Sequence, residues 1–124
     1  MASVLDAFSH ACFEPECDLI AITPEGWREQ LFDNKIDFVL VESSWHGNAD
    51  SWLYRVASYQ KPPGNELLEV VRWARRCGVP TVFWNKEDPP NFDRFIDRAV
   101  DFDFIFTTDE NCISRYRARV SEKT

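Results

Sequence analysis

Five short apolar runs recur along the chain, and most are followed by a segment whose apolar residues fall at helical spacing. The runs are residues 3–6, 18–22, 37–42, 81–85 and 104–107. Residues 37–42 (Asp37-Phe38-Val39-Leu40-Val41-Glu42) are nearly continuous in apolar character, the pattern of a strand buried on both faces. After the second run, Thr23 and Pro24 make a helix-start signal ahead of Trp27, Leu31 and Phe32, and that helix is predicted to end near Asn34. A further helical stretch is predicted over 51–58. Asn65 is predicted to cap a helix with Leu67, Leu68, Val71 and Ala74 on one face, Arg72, Arg75 and Arg76 towards its end, and Gly78 as its stop. Helices are also predicted over 91–100, with Phe92, Phe95, Ile96 and Ala99 inward, and after Asp109, bearing Cys112, Ile113 and Tyr116. Gln60-Lys61-Pro62-Pro63-Gly64 is the strongest loop signal.

Strands alternating with helices imply right-handed crossovers and a parallel sheet covered on both faces. The fold class that follows is α/β: one three-layer, Rossmann-like domain over 1–124, with a five-stranded parallel sheet in the order 2-1-3-4-5. In such a sheet, ligands bind outside the carboxyl ends of the strands, at the point where the strand order reverses. The loops after Asp6, Glu42, Asn85 and Thr107 then share one rim.

Composition narrows the classes. A chain of 124 residues holds one buried core, and 10 Phe and 5 Trp supply much of its volume. A formal net charge of -7 argues against a nucleic-acid partner and disfavours anionic membrane surfaces. No apolar run approaches the roughly 18 residues of a membrane span, and the N-terminus lacks a secretory pattern. Cys12, Cys17, Cys77 and Cys112 are not spaced as zinc ligands, so reduced thiols in a cytoplasmic protein, with no metal and no cofactor, are the expectation. No Gly-rich dinucleotide or P-loop signature occurs, and no nucleophile elbow of the hydrolase kind.

Four polar clusters fall on the predicted rim: Asp6-Ala7-Phe8-Ser9-His10; Glu42-Ser43-Ser44-Trp45-His46-Gly47-Asn48; Asn85-Lys86-Glu87-Asp88; and Thr107-Thr108-Asp109. The chain's two histidines lie in these clusters, and imidazole is the side chain best suited to move protons near neutral pH. Turn chemistry accounts for Gly47 and Asn48, and a helix N-cap accounts for Thr107-Thr108-Asp109. Asp101-Phe102-Asp103 precedes a strand and so faces the opposite edge.

Several of these motifs resemble the bacterial CgeB-like (spore-maturation) glycosyltransferases: Asp6-Ala7-Phe8-Ser9 with Cys12-Phe13-Glu14-Pro15-Glu16-Cys17; Thr23-Pro24 and Trp27; Val41-Glu42-Ser43-Ser44-Trp45-His46-Gly47-Asn48; Phe83-Trp84-Asn85-Lys86-Glu87-Asp88-Pro89 with Phe92-Asp93-Arg94-Phe95; and Phe106-Thr107-Thr108-Asp109. His46 stands where that family more often carries Arg. The resemblance implies the N-terminal, acceptor-side domain of a two-domain GT-B enzyme. The nucleotide-sugar donor would be held by a C-terminal domain that is missing here, and the acceptor would be a glycan or another hydroxyl compound. It places the base among Glu42, His46, Glu87 and Asp88. Asp6, Ser9, Trp45, Asn48, Asn85, Lys86, Thr107 and Thr108 are the substrate-binding candidates, with Asn85 and Lys86 stabilising developing charge. The isolated chain is then expected to be inactive alone, and Lys86→Ala to lower transfer without disturbing the fold. The alternatives are a non-catalytic glycan- or protein-binding module, and a receiver-like signalling domain. The latter needs an Asp after the third strand and a Lys after the fifth, where Glu42 and Thr107-Thr108 stand.

Overall fold

The computed structural model describes residues 1–57 and 65–123, so the predicted 60–64 loop and the last residue of the 51–58 stretch lie outside the described residues. Its elements run β1 (Ala2–Val4), α1 (Ala7–Phe13), β2 (Ile20–Ala21), α2 (Trp27–Leu31), β3 (Val39–Glu42), a 3-10 turn (Asn48–Asp50), α3 (Glu66–Cys77), β4 (Thr81–Asn85), α4 (Phe92–Ala99), β5 (Phe104–Thr107), a second 3-10 turn (Glu110–Cys112) and α5 (Ile113–Lys123). The five strands form one all-parallel sheet in the order β2-β1-β3-β4-β5, the arrangement expected from the sequence.

The sheet and the later helices match their patterns closely, whereas the early elements are shorter. β1 stops at Val4 because the next backbone groups find side-chain partners: Leu5 N–H donates to Asn48 Oδ1 (3.4 Å) and Asp6 N–H to Glu42. β2 stops at Ala21 because the Ile22 carbonyl accepts from Asn48 Nδ2 and Trp52 Nε1, both at 2.7 Å. Thr23 Oγ1 accepts from Gly26 N–H (3.0 Å) and so closes the turn over residues 24–26 instead of capping the helix, which begins at Trp27 with Gly26 at its N-cap. Phe32, expected on that helix's buried face, leaves it in extended backbone and is exposed. The helix predicted over 51–58 is absent through residue 57. There the chain folds back on itself, Trp52 N–H reaching His46 O and Tyr54 N–H reaching Trp45 O, and buries the Trp52 indole.

Register fixes which side chains share a face. Ala2, Val4, Val39, Val41, Thr81, Phe83, Asn85, Ile105 and Thr107 point one way. That face meets α2, α3, α4 and α5 in one core containing Trp27, Leu31, Val70, Val71, Phe95, Ile96 and Tyr116. Phe83 lies at its centre, fully buried, with Phe95 and Phe102 rings at 6.4 and 5.2 Å. The other face carries Ser3, Leu40, Glu42, Val82, Trp84, Phe104 and Phe106. Coverage of both faces, expected from the alternation, is only partial. Among the described residues α1 covers the β1–β3 part, its Phe13 meeting Trp84 edge-on at 6.2 Å, while Phe104 and Phe106 stay more than half exposed. α5 does not close that face because it packs beside α4. Tyr116 sits on Phe92, and Arg115 and Arg119 pair with Asp93 and Asp97.

The two phenylalanine environments separate by mutation. Phe83→Ala is expected to cost about 3–5 kcal/mol through the lost burial and the cavity. Phe106→Ser is expected to change stability by less than about 0.5 kcal/mol. Urea denaturation of both variants checks this, and equal losses would mean that the exposed face is not solvated.

Candidate functional site

Three of the four rim loops are tied together by one carboxylate. Glu42 ends β3 with its side chain fully buried, a placement that costs several kcal/mol for an unpaired charge. Its Oε1 accepts the Asp6 N–H at the start of α1. Its Oε2 accepts the Ser9 hydroxyl (2.6 Å) and pairs with Lys86 Nζ (2.8 Å). Lys86 Nζ also donates to Ser9 Oγ (2.8 Å) and lies 5.3 Å from the Trp84 ring centroid. The Lys86 backbone N–H reaches Ser43 Oγ (2.9 Å), and Asp6 Oδ1 accepts the Gly47 N–H (2.7 Å). Both Glu42 oxygens thus have donors inside the fold.

A second carboxylate closes the other end of the rim. Asp88, also buried, accepts from Asn85 Nδ2 (3.0 Å), Thr107 Oγ1 (2.6 Å) and the Tyr116 hydroxyl (2.7 Å). Asn85 spends its second amide hydrogen on Tyr116 Oη (2.8 Å) and its carbonyl on the Glu87 N–H (2.9 Å). Burial first, and then the bond to Asp88, push the Tyr116 phenol above its ordinary value; burial likewise raises the Cys112 thiol beside it. Glu87 Oε2 accepts from Asn91 Nδ2 at the start of α4 (2.9 Å), and Thr108 is exposed with its hydroxyl 3.5 Å from the Asp88 carbonyl.

Between β1 and β3, where the strand order reverses, the rim opens into a cleft of 360 Å³ lined by Asp6, Ala7, Phe8, His46, Gly47, Ala49 and Asp50. His46 is exposed there, and its Nδ1 lies 2.8 Å from Asp50 Oδ1. A carboxylate only accepts, so the neutral ring in this pair carries its proton on Nδ1 and keeps the Nε2 lone pair. Gly47 is required at this point. Its φ is +63°, and a Cβ would meet Trp52 Cβ at 2.8 Å. Ala49 and Asp50 also lie in the left-handed region, at φ 55° and 65°.

The residues expected at the site therefore fall in different surroundings. Asp6, Ser9, Glu42 and Lys86 meet in one cluster, and Asn85, Asp88 and Thr107 in another. Asn48 faces inward, its amide bridging Ser3 O (2.8 Å) and Ile22 O (2.7 Å), and Trp45 packs edge-on against Phe95 at 5.1 Å. Only His46, of the four base candidates, is exposed beside an open cleft. Asp50 was not anticipated, and Phe8 and Tyr116, read as part of a rim cluster and of the last helix, were not among the site candidates; Asp50 stands four residues after His46, the one sequence signal that marks it.

No protein-family model, curated protein or solved structure matches the chain. The glycosyltransferase reading accordingly rests on the quoted motifs alone. The four cysteines are free thiols. Among the described residues no group of three or more His, Cys, Asp and Glu side chains is arranged to hold a metal ion, and no helix is long and apolar enough to cross a membrane.

The Glu42 pairing reverses the expectation that Lys86→Ala spares the fold. Lys86→Met strands a buried carboxylate and is expected to cost about 2–4 kcal/mol, while Glu42→Gln with Lys86→Met recovers at least half of that loss. Chemical denaturation of both variants tests it, and a Lys86→Met loss below about 0.5 kcal/mol would show the pair to be dispensable.

Tyr116 sets an alkaline limit on stability. Its folded pKa is raised, so its contribution is complete below about pH 10, where the unfolded phenol ionises, and is lost as pH rises towards the folded value. Stability is expected to fall above about pH 10 by as much as roughly 1.4 kcal/mol per pH unit from this group. Tyr116→Phe should flatten that fall while costing about 1–3 kcal/mol at neutral pH through the stranded Asp88 and Asn85 partners. Thermal unfolding of both proteins between pH 7 and 11 reads the two effects, and parallel pH curves would remove Tyr116 as the cause.

Proposed function

We propose that the chain forms the acceptor side of a sugar-transfer site, with His46 as the base that takes the proton of the acceptor hydroxyl. The observation that carries this reading is the His46–Asp50 pair standing in the cleft at the strand-order reversal. The other three base candidates are already occupied. Glu42 and Asp88 are buried, each already held by three donors, and Glu87 holds the start of α4. Asp50 orients the imidazole and fixes its tautomer, as the third group of a nucleophile–base–carboxylate arrangement does.

In the step itself, the acceptor oxygen forms a bond to the donor's anomeric carbon as the bond from that carbon to the nucleoside diphosphate breaks. The hydroxyl proton goes to His46 Nε2. Phe8, nearly four-fifths exposed on the cleft wall, offers an aromatic face to the acceptor. The donor and its leaving group belong to a second domain facing this rim, so the 124-residue chain alone binds acceptor but does not turn over nucleotide sugar.

The test has two parts. Incubated with a panel of nucleotide sugars and hydroxyl acceptors, the isolated chain is expected to show no multiple turnover; sustained turnover would overturn the two-sided arrangement. In an assembly that supplies the donor side, His46→Gln is expected to lower turnover by about 10²–10⁴-fold and Asp50→Asn by less. Unchanged turnover in His46→Gln, with acceptor binding retained, would leave a binding module of the same fold.

A further inference from the structure

We infer that the acceptor delivered to His46 is an alcohol with a compact apolar body, aryl or branched alkyl, and not a free sugar. The inference deepens the reading of His46 as the base and rests on it. A second hollow of 370 Å³ opens beside the His46 cleft, and Ala7 and Ala49 line both. Its size lies within the roughly 300–1,000 Å³ of small-ligand sites. The two hollows therefore share a border built from methyl side chains.

The walls of the second hollow select the ligand. Ala7, Ala21 and Ala49 supply apolar surface, while Leu5, also at this hollow, is fully buried. Two of its three polar side chains are already spent within the fold. Asn48 Oδ1 and Nδ2 serve the backbone of Leu5, Ser3 and Ile22. Thr23 Oγ1 accepts from Gly26 N–H and donates to Gln30 Oε1. His10 alone remains to meet a polar group of the ligand. A pyranose carries hydroxyl groups around its ring, and each one pressed against these alanines without a partner costs about 1–3 kcal/mol. An aryl or branched-alkyl body instead gains about 25 cal/mol per Å² of apolar surface removed from water. With the body seated on Ala21, a hydroxyl on a short arm crosses Ala7 and Ala49 to the His46 side.

The test is an NMR titration of the 124-residue chain with 2-phenylethanol, its methyl ether and glucose. 2-Phenylethanol is expected to shift the amides of Leu5, Ala7, Ala21 and Ala49 together with the His46 ring, and to bind about tenfold more tightly than either comparison compound. Ala21→Leu, and Ala7→Leu at an exposed helix position, should each weaken 2-phenylethanol about fivefold or more, with circular dichroism confirming the fold. Glucose shifting His46 as strongly as 2-phenylethanol, with Leu5 and Ala21 unmoved, would overturn the apolar acceptor and leave the His46 reading standing. The ether and the alcohol binding alike with the His46 ring unmoved would overturn both, as would no response to any probe.

Discussion

The rim of this sheet depends on taking the Glu42 carboxylate out of water. A buried anion is tolerable only if charge and hydrogen bonds replace its hydration, and here the three donors come from two places in the chain. The Asp6 amide and Ser9 hydroxyl fix the start of α1, and the Lys86 ammonium fixes the loop after β4. Satisfying one carboxylate therefore sets the mutual positions of the loops after β1, β3 and β4. Lys86 serves Ser9 as well, and each member of the triangle holds the other two in place.

Asp88 does the same for the loops after β4 and β5, using neutral donors only: an amide, an alcohol and a phenol. The two hubs flank the strand from Thr81 to Asn85 and make that strand's end the rigid part of the rim. This division of labour explains why so many polar residues crowd a strand end without lining a cleft. Their chemistry is consumed in positioning. What stays open lies one loop away, where Asp6 holds Gly47 and leaves His46 and Asp50 to solvent.

The sheet order and the bounds of β4 and β5 were legible because their signals are local: β-branched and aromatic runs closed by Pro80 and Pro89 or by a capping Asp. The ends of β1 and β2 were not, since Asn48 and Trp52 decide them from 26 to 45 residues away. The same distance hid the fate of the site residues. Nothing near Asp88 in sequence announces Tyr116, 28 residues on, and a tyrosine at helical spacing reads as core, which in part it is. The side of the sheet taken by α5 was equally unreadable, because ion pairs from Arg115 and Arg119 to α4 accompany that choice. The position of each cluster could be read, then, but not whether its polar atoms face inward or outward.

The loop that presents His46 is the place where the fold departs furthest from relaxed backbone. Residues four apart normally meet on a helix, but His46 and Asp50 meet across a turn with Gly47, Ala49 and Asp50 all at positive φ. For non-glycine residues such backbone costs of order 1 kcal/mol each, and it persists only where surrounding contacts overdetermine it. Those contacts are present. The Trp52 indole is wholly buried and bonded to Ile22 O, and the Asn48 side chain is tied to three backbone groups. A helix over the same residues would carry the i,i+4 pair without strain, yet it would pull Trp52 and Asn48 off the ends of β1 and β2. The strain is thus the consequence of making one loop do two things: finish two strands on its inner side and hold an imidazole against a carboxylate on its outer side.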